Sequence, residues 1–251
     1  MDPRLSACPI AFGAFKIGRN QGIKYPSGYE LPSDAEAEAL LNGALDLGVR
    51  VIDTAPAYGV SEERIGLYLA HRRAEFWLST KAGERFEGGR SHYDFSRDAI
   101  ARSIDESLAR LRTDRLDSVL LHLNAESESR DLGPARDALL AAQAEGKVGL
   151  VGASPVTEAG LRQCLPWAQI LMAEVNPLAA PLDAILAGQQ SGRAPVLVKK
   201  AFASGRLAPE EALRFALGKE YVAAVVVGTL SLEHLAENVR LARALRGDGP
   251  A

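Results

Sequence analysis

Two cysteines in 251 residues, Cys8 and Cys164, supply neither a disulfide framework nor a zinc-ligand spacing. Both read as small apolar core residues, Cys8 in an apolar stretch and Cys164 at the end of a predicted helix. No apolar run approaches the ~20 residues that span a bilayer. The opening MDPRLSACPIAF has no basic segment ahead of a long apolar run, so no signal peptide is expected. A reducing, cytoplasmic setting follows as the default. Surplus positive charge is also missing: 29 Lys and Arg stand against 32 Asp and Glu, a net charge of −3. Nucleic-acid or anionic-membrane binding is therefore not expected. No heptad pattern marks a coiled coil, which favours a monomer. No linker, low-complexity stretch or short repeat divides the chain, so residues 1–251 read as one domain.

What is there is a rhythm. Short apolar, β-branched runs at 9–13, 49–54, 76–81, 118–122, 148–154, 170–175, 196–199 and 223–228 alternate with longer helical patterns. Several of these runs are apolar on both faces, the mark of parallel strands covered by helices. The helices have recognisable starts and stops. Ser33 with Glu36 makes a capping box, and Gly48 supplies a stop. Ser96 opens the next long helix, with Phe95 and Ile100 at staple spacing. Pro134 and Ser231 open two more. Eight strands with eight helices predict a closed (β/α)8 TIM barrel, at the ~250-residue length typical of that fold. The competing architecture, an open doubly wound sheet, would need G-x-G-x-x-G after the first strand, where the chain reads GAFKIGRNQG.

Polar residues collect at the strand ends. Asp53 ends the second strand, Lys81 the third and His122 the fourth, and Tyr58 lies in the turn before the second helix. Barrel residues at successive strand C-termini converge on one rim. Singly, each has an ordinary reading: Asp53 as a turn cap, Lys81 as a solvated charge, His122 as a core histidine, Tyr58 as a turn aromatic. Together they make an acid catalyst for a carbonyl. A phenol with a pKa of ~10 donates poorly at neutral pH, and moving it to ~7 takes roughly 4 kcal/mol. A desolvated Lys81, kept charged by Asp53, is expected to supply much of that. His122 is expected to bond and orient the carbonyl oxygen. No metal cluster is expected. Two other readings stay open: a lyase or isomerase with Lys81 as a Schiff-base nucleophile, and a cofactor-binding regulatory barrel with little turnover.

The stretch GALDLGVRVIDTAPAYGVSEERIG, followed in order by LSTKAG, LDSVLLHLN, KVGLVGAS, EVNPL and GTLSLEHLAEN, resembles the aldo-keto reductase family. The resemblance covers nearly the whole chain. It implies a (β/α)8 barrel, a nicotinamide dinucleotide and reversible reduction of aldehydes or ketones, with Asp53, Tyr58, Lys81 and His122 at the catalytic positions. It further implies cofactor contacts from Gly13, Ala14 and Phe15, from Ser154 at the nicotinamide carboxamide, from the turn at Gly228, Thr229 and Ser231, and from Glu237 and Asn238 at the adenine.

The chain departs from the family pattern at four places. Pro155 follows Ser154 where an asparagine is usual, and Met172 stands in place of a glutamine. Lys199 lies where a stacking tyrosine is common, and Gly228 and His234 stand at positions that often bind the 2′-phosphate. Thr229, Ser231 and His234 remain as candidate phosphate contacts at a helix N-terminus, which keeps NADPH ahead of NADH. Lys199 and Lys200 are candidates for the pyrophosphate or an acidic substrate, with a surface charge as the ordinary reading of Lys200. The chain is short for the family, so the substrate pocket is expected from residues 16–32, 84–94 and 124–133. Arg19, Tyr25, Arg85, Phe86 and Tyr93 are the candidate substrate contacts, and the arginines favour a polar or anionic carbonyl compound.

Overall fold

The structure is a computed structural model describing residues 2–23, 28–188 and 194–247. Eight parallel strands form where the apolar runs predict them: β1 (Ile10–Gly13), β2 (Val51–Asp53), β3 (Trp77–Ala82), β6 (Leu116–His122), β7 (Val148–Ser154), β8 (Ile170–Glu174), β9 (Val196–Lys199) and β10 (Val222–Val227). They close in the order β1-β10-β9-β8-β7-β6-β3-β2. Between β3 and β6 the chain inserts an antiparallel hairpin, β4 (Glu84–Glu87) and β5 (Arg90–Tyr93). The segment 84–94, expected to help build the substrate pocket, thus carries a hairpin over its first ten residues. Its turn is Gly88–Gly89, at φ 58° and 78°. Two successive positive φ values suit the tight hairpin turns that match strand twist, and only glycine takes both at no steric cost.

Helices cover the outside: α2 (Asp34–Asp46), α3 (Ser61–Leu69), α4 (Arg97–Leu111), α5 (Gly133–Ala144), α6 (Glu158–Cys164), α7 (Ala180–Ala187), α8 (Pro209–Leu217) and α9 (Leu232–Arg246), after a short α1 (Pro3–Ser6). Their starts obey local chemistry. Ser33 and Glu36 form the reciprocal capping box of α2, and the hydroxyls of Ser96 and Ser231 accept from Ala99 N and His234 N. No helix among the described residues is long and apolar enough to cross a membrane.

Strand residues alternate between two cores. Outward residues such as Phe12, Ile52, Leu78, Val119, Leu121, Val151 and Leu171 pack beneath the helices. Inward residues, including Ala11, Val51, Trp77, Leu120, Met172, Leu197 and Ala224, fill the barrel. Leu5 of α1 joins that inner cluster and stops the barrel floor. Burying such a leucine contributes roughly 1.5–3 kcal/mol. Arg4 pins the plug by bonding Asp117 Oδ1 at 2.8 Å and Phe76 O at 2.8 Å.

Candidate active site

The inward period of two carries from the inner core to the opposite end of the barrel. Two residues beyond Ala11, Val51, Leu120, Met172 and Leu197 come Gly13, Asp53, His122, Glu174 and Lys199; Lys81 and Ser154 share that face on β3 and β7. Register sets Gly13 beside Asp53, His122 beside Ser154, and Glu174 beside Lys199. A ring of polar side chains therefore lines the C-terminal mouth, where barrel enzymes work.

Lys81 Nζ lies 2.7 Å from both carboxylate oxygens of Asp53 and 2.8 Å from Thr54 O. Three acceptors require three donors, so the group is an ammonium. Both side chains are buried. Burial pushes the lysine down, but Asp53 and, after it, Tyr58 together outweigh burial and hold the ammonium above its ordinary range. With its hydrogens committed and its proton secure, Lys81 is a poor Schiff-base nucleophile, which removes the support for that reading.

Tyr58 ends a 3-10 turn (Pro56–Tyr58) beyond β2. That turn is locked against the 3-10 turn Ala14–Ile17 that follows β1. Ser61 Oγ donates to Ala14 O at 3.1 Å, and Arg64 Nη1 to Ile17 O at 2.7 Å. The two backbones nearly touch: a Cβ on Gly18 would sit 2.0 Å from Tyr58 O, and one on Gly59, at φ 60°, 2.2 Å from Gly18 O. Glycine at both positions is a steric requirement. So held, the Tyr58 ring has Lys81 Nζ 4.7 Å from its centroid. It stands edge-on to Phe15 at 5.0 Å and to His122 at 5.9 Å. Burial pushes the Tyr58 phenol up, against the pull of Lys81, and Asp53 adds to the rise. This reverses the expected sign: desolvation of the phenolate exceeds the attraction of one ammonium already neutralised by a carboxylate. The phenol stays protonated.

His122 has a neighbour that the strand-end pattern does not reveal. Its Nδ1 lies 2.7 Å from Glu84 Oε2. The contact is short, but the N–H does not point squarely at the carboxylate oxygen. Burial pushes the Glu84 carboxyl up, but His122, backed by Ser91 and Tyr93, outweighs it and holds the group at about 2. Burial lowers His122 below its ordinary value, with Glu84 opposing and Lys81 and Lys199 reinforcing. The Gly-Gly turn was the one sequence signal for the hairpin that delivers Glu84.

Across the mouth, Lys199 Nζ meets the Ser154 hydroxyl at 2.8 Å and Pro155 O at 2.9 Å, both neutral. Burial, then Lys200 and Lys81, push it down to about 7. Lys200 is exposed and pairs instead with Glu174 at 2.9 Å.

The remaining candidates divide. Arg19 lies over the Phe86 ring at 3.7 Å and over Phe15 at 5.0 Å, and donates to Ala57 O and Gln21 O. It clasps the hairpin to the Tyr58 turn, a role that occupies the guanidinium expected to meet substrate. Tyr93 stacks on Phe95. Arg85 is not brought to the mouth: it bonds Glu106 of α4 at 2.6 Å. Successive hairpin residues face opposite sides, so with Glu84 inward, Arg85 points outward. Tyr25 lies outside the described residues. Met172 is buried in the inner core. Between β10 and α9, Thr229 Oγ1 accepts from Ser231 N at 3.0 Å, Gly228, His234 and Glu237 are exposed, and Asn238 is buried.

The sequence profile of the Aldo/keto reductase family matches residues 9–181. The fold is similar to the crystal structure of a putative aldo-keto reductase from Pseudomonas aeruginosa, with a TM-score of 0.83 and 38% identity over 95% of this chain and 90% of that one. The sequence is similar to D-threo-aldose 1-dehydrogenase from Pseudomonas sp, 34% identical over 64% of this chain; the match spans 54% of that relative, about half its length. It is 27% identical to the uncharacterized oxidoreductase YqkF from Bacillus subtilis, over 84% of this chain and 83% of that protein.

Proposed function

The chain belongs to the aldo/keto reductase family, and from that premise we propose that it is a single-domain, monomeric, cytoplasmic enzyme that reduces an aldehyde or ketone to an alcohol, reversibly, with a nicotinamide dinucleotide as hydride donor and Tyr58 as proton donor. The observation that carries the reading is the convergence of a protonated phenol, a carboxylate-locked ammonium and an imidazole at the barrel mouth.

The residues present fit the dinucleotide. Asn238 donates from Nδ2 to His234 O at 2.6 Å, while its buried Oδ1 has no partner among the described residues, an acceptor left for a ligand. Ser154 and Lys199 would hold the nicotinamide end, with Gly13, Ala14 and Phe15 beside it. Thr229, Ser231 and His234, at the N-terminus of α9, would take a 2′-phosphate, and Glu237 and Asn238 the adenine. NADPH is favoured over NADH on that account. Once bound, the dinucleotide supplies the hydride that adds to the carbonyl carbon.

The chain supplies everything else. His122 orients the carbonyl oxygen towards Tyr58. Tyr58 gives that oxygen its proton and becomes a phenolate. Lys81 then stabilises the new negative charge: unit charges ~5 Å apart attract by roughly 3 kcal/mol at an effective dielectric of ~20. Asp53 keeps Lys81 charged for that moment. The attraction is too small to ionise the resting phenol but is gained in full as the proton leaves, which makes it a transition-state interaction.

Two measurements test this. Fluorescence titration with NADPH and NADH should show binding, tighter for NADPH. Reduction of a small aldehyde by the wild type should fall roughly 10²–10⁴-fold in Tyr58→Phe, the usual share of general acid catalysis. Unchanged turnover in that variant would overturn the assignment.

A further inference from the structure

We propose that Glu84 is a positioning residue for His122: its carboxylate fixes the Nδ1 side of the imidazole, so that only the doubly protonated ring can donate from Nε2 to a carbonyl oxygen. The kinetic part of this rests on the reductase reading; the ring chemistry does not.

The geometry begins with the hairpin. Glu84 opens β4 directly after Gly83, and the Gly88–Gly89 turn returns the chain along it. Ser91 on the return strand donates its hydroxyl to Glu84 Oε1 at 2.5 Å, which leaves Oε2 to face His122 Nδ1 at 2.7 Å. Glu84 is buried yet lacks a lysine or arginine partner among the described ion pairs; the group it meets across the mouth is the imidazole. A buried carboxylate without a permanent cation is costly unless it serves a neighbour that can become one.

The proton bookkeeping follows from imidazole chemistry. A neutral ring carries one hydrogen, and a carboxylate at Nδ1 draws it there. Nε2 is then a bare lone pair, an acceptor that repels a carbonyl oxygen. For Nε2 to donate, the ring must hold both hydrogens. Glu84 thus links carbonyl orientation to protonation of His122, while Tyr58 remains the group that transfers its proton. The other charged and titratable groups around the ring are Tyr58 from the turn after β2, Asp53 on β2, Lys81 on β3 and Lys199 on β9. Burial and both lysines oppose ring protonation and leave the ring below its ordinary range, and Glu84 is the group that opposes them.

The test is nitrogen-15 NMR of the four histidine rings, His71, His92, His122 and His234, in the protein without added cofactor or substrate, with His122→Asn to identify the signal. The wild-type neutral ring of His122 is expected to carry its hydrogen on Nδ1. In Glu84→Gln the hydrogen should move towards Nε2 and the titration midpoint should fall by roughly one pH unit. Carbonyl reduction should then respond in kind. Wild-type kcat/KM should drop about 10-fold per pH unit above the His122 midpoint, the variant should lose that limb, and Glu84→Asp should retain it. A wild-type neutral ring protonated on Nε2 overturns the proposal even if the variant does not fold. So does a His122 midpoint unchanged in Glu84→Gln, whatever happens to its thermal stability. Since the ring measurement needs no turnover, it is decided separately from the reductase reading.

Discussion

Lys81 reaches Asp53 through both carboxylate oxygens at 2.7 Å, and the two side chains are almost wholly removed from solvent. The pair is a charged strut between adjacent strands as well as part of the site.

Breaking it from one side leaves a buried charge. Asp53→Ala is expected to cost roughly 3–5 kcal/mol of stability, read by urea denaturation, and to abolish turnover. The pH dependence has a definite sign. The Lys81 ammonium is held above its unfolded value, so its contribution is complete below the ordinary lysine range of ~10.4 and fades as pH rises beyond it. The wild type should lose stability above that range, and Asp53→Ala should lack that component of the loss.

Lys199 should behave in the opposite way. An amine pushed down to about 7 is half neutral near physiological pH. Brief treatment with an acetylating reagent between pH 6.5 and 8.5, followed by peptide mass mapping, should label Lys199 first and Lys81 last. Equal labelling of the two would refute the contrast between a lysine facing neutral partners and one locked to a carboxylate.

The two arginines expected near substrate should now separate. Arg19→Ala removes a cation–π stack worth roughly 0.5–2 kcal/mol and the bond to Ala57 O. Hydrogen exchange over residues 84–93 should accelerate and KM should rise. Arg85→Ala should leave KM and the preference between anionic and neutral aldehydes unchanged, because its partner is Glu106 on the outer face of the barrel wall.

The strands were legible because a strand buried on both faces is an uninterrupted apolar run, and VLLHL or AAVVV has few other uses. The helix starts at Ser33, Ser96 and Ser231 were legible because capping is chemistry between neighbours in sequence. ERFEGGRSHY was not, since it is polar on both faces and its pairing carries no apolar alternation. The placement of Glu84 against His122 was hidden for the same reason, as it depends on how that hairpin folds back. The Tyr58 phenol was misjudged in sign because spacing reveals which charges approach a group but not how deeply the group is buried. Arg85 faces away from the mouth because alternate residues of a strand point to opposite sides, and nothing in the polar sequence of the hairpin marks it as a strand.

The order of synthesis meets a particular difficulty in this topology. β1 pairs with β10, and α1, which carries the Leu5 plug, packs against β10. β1 must therefore wait for β10, made long after it, before it finds its permanent neighbour. Until β10 arrives, β1 and β9 each present an open row of amides and carbonyls, and the unfinished chain is at its most adhesive to other copies of itself. A chain interrupted before residue 222 should for that reason accumulate as aggregate rather than as a smaller, stable protein.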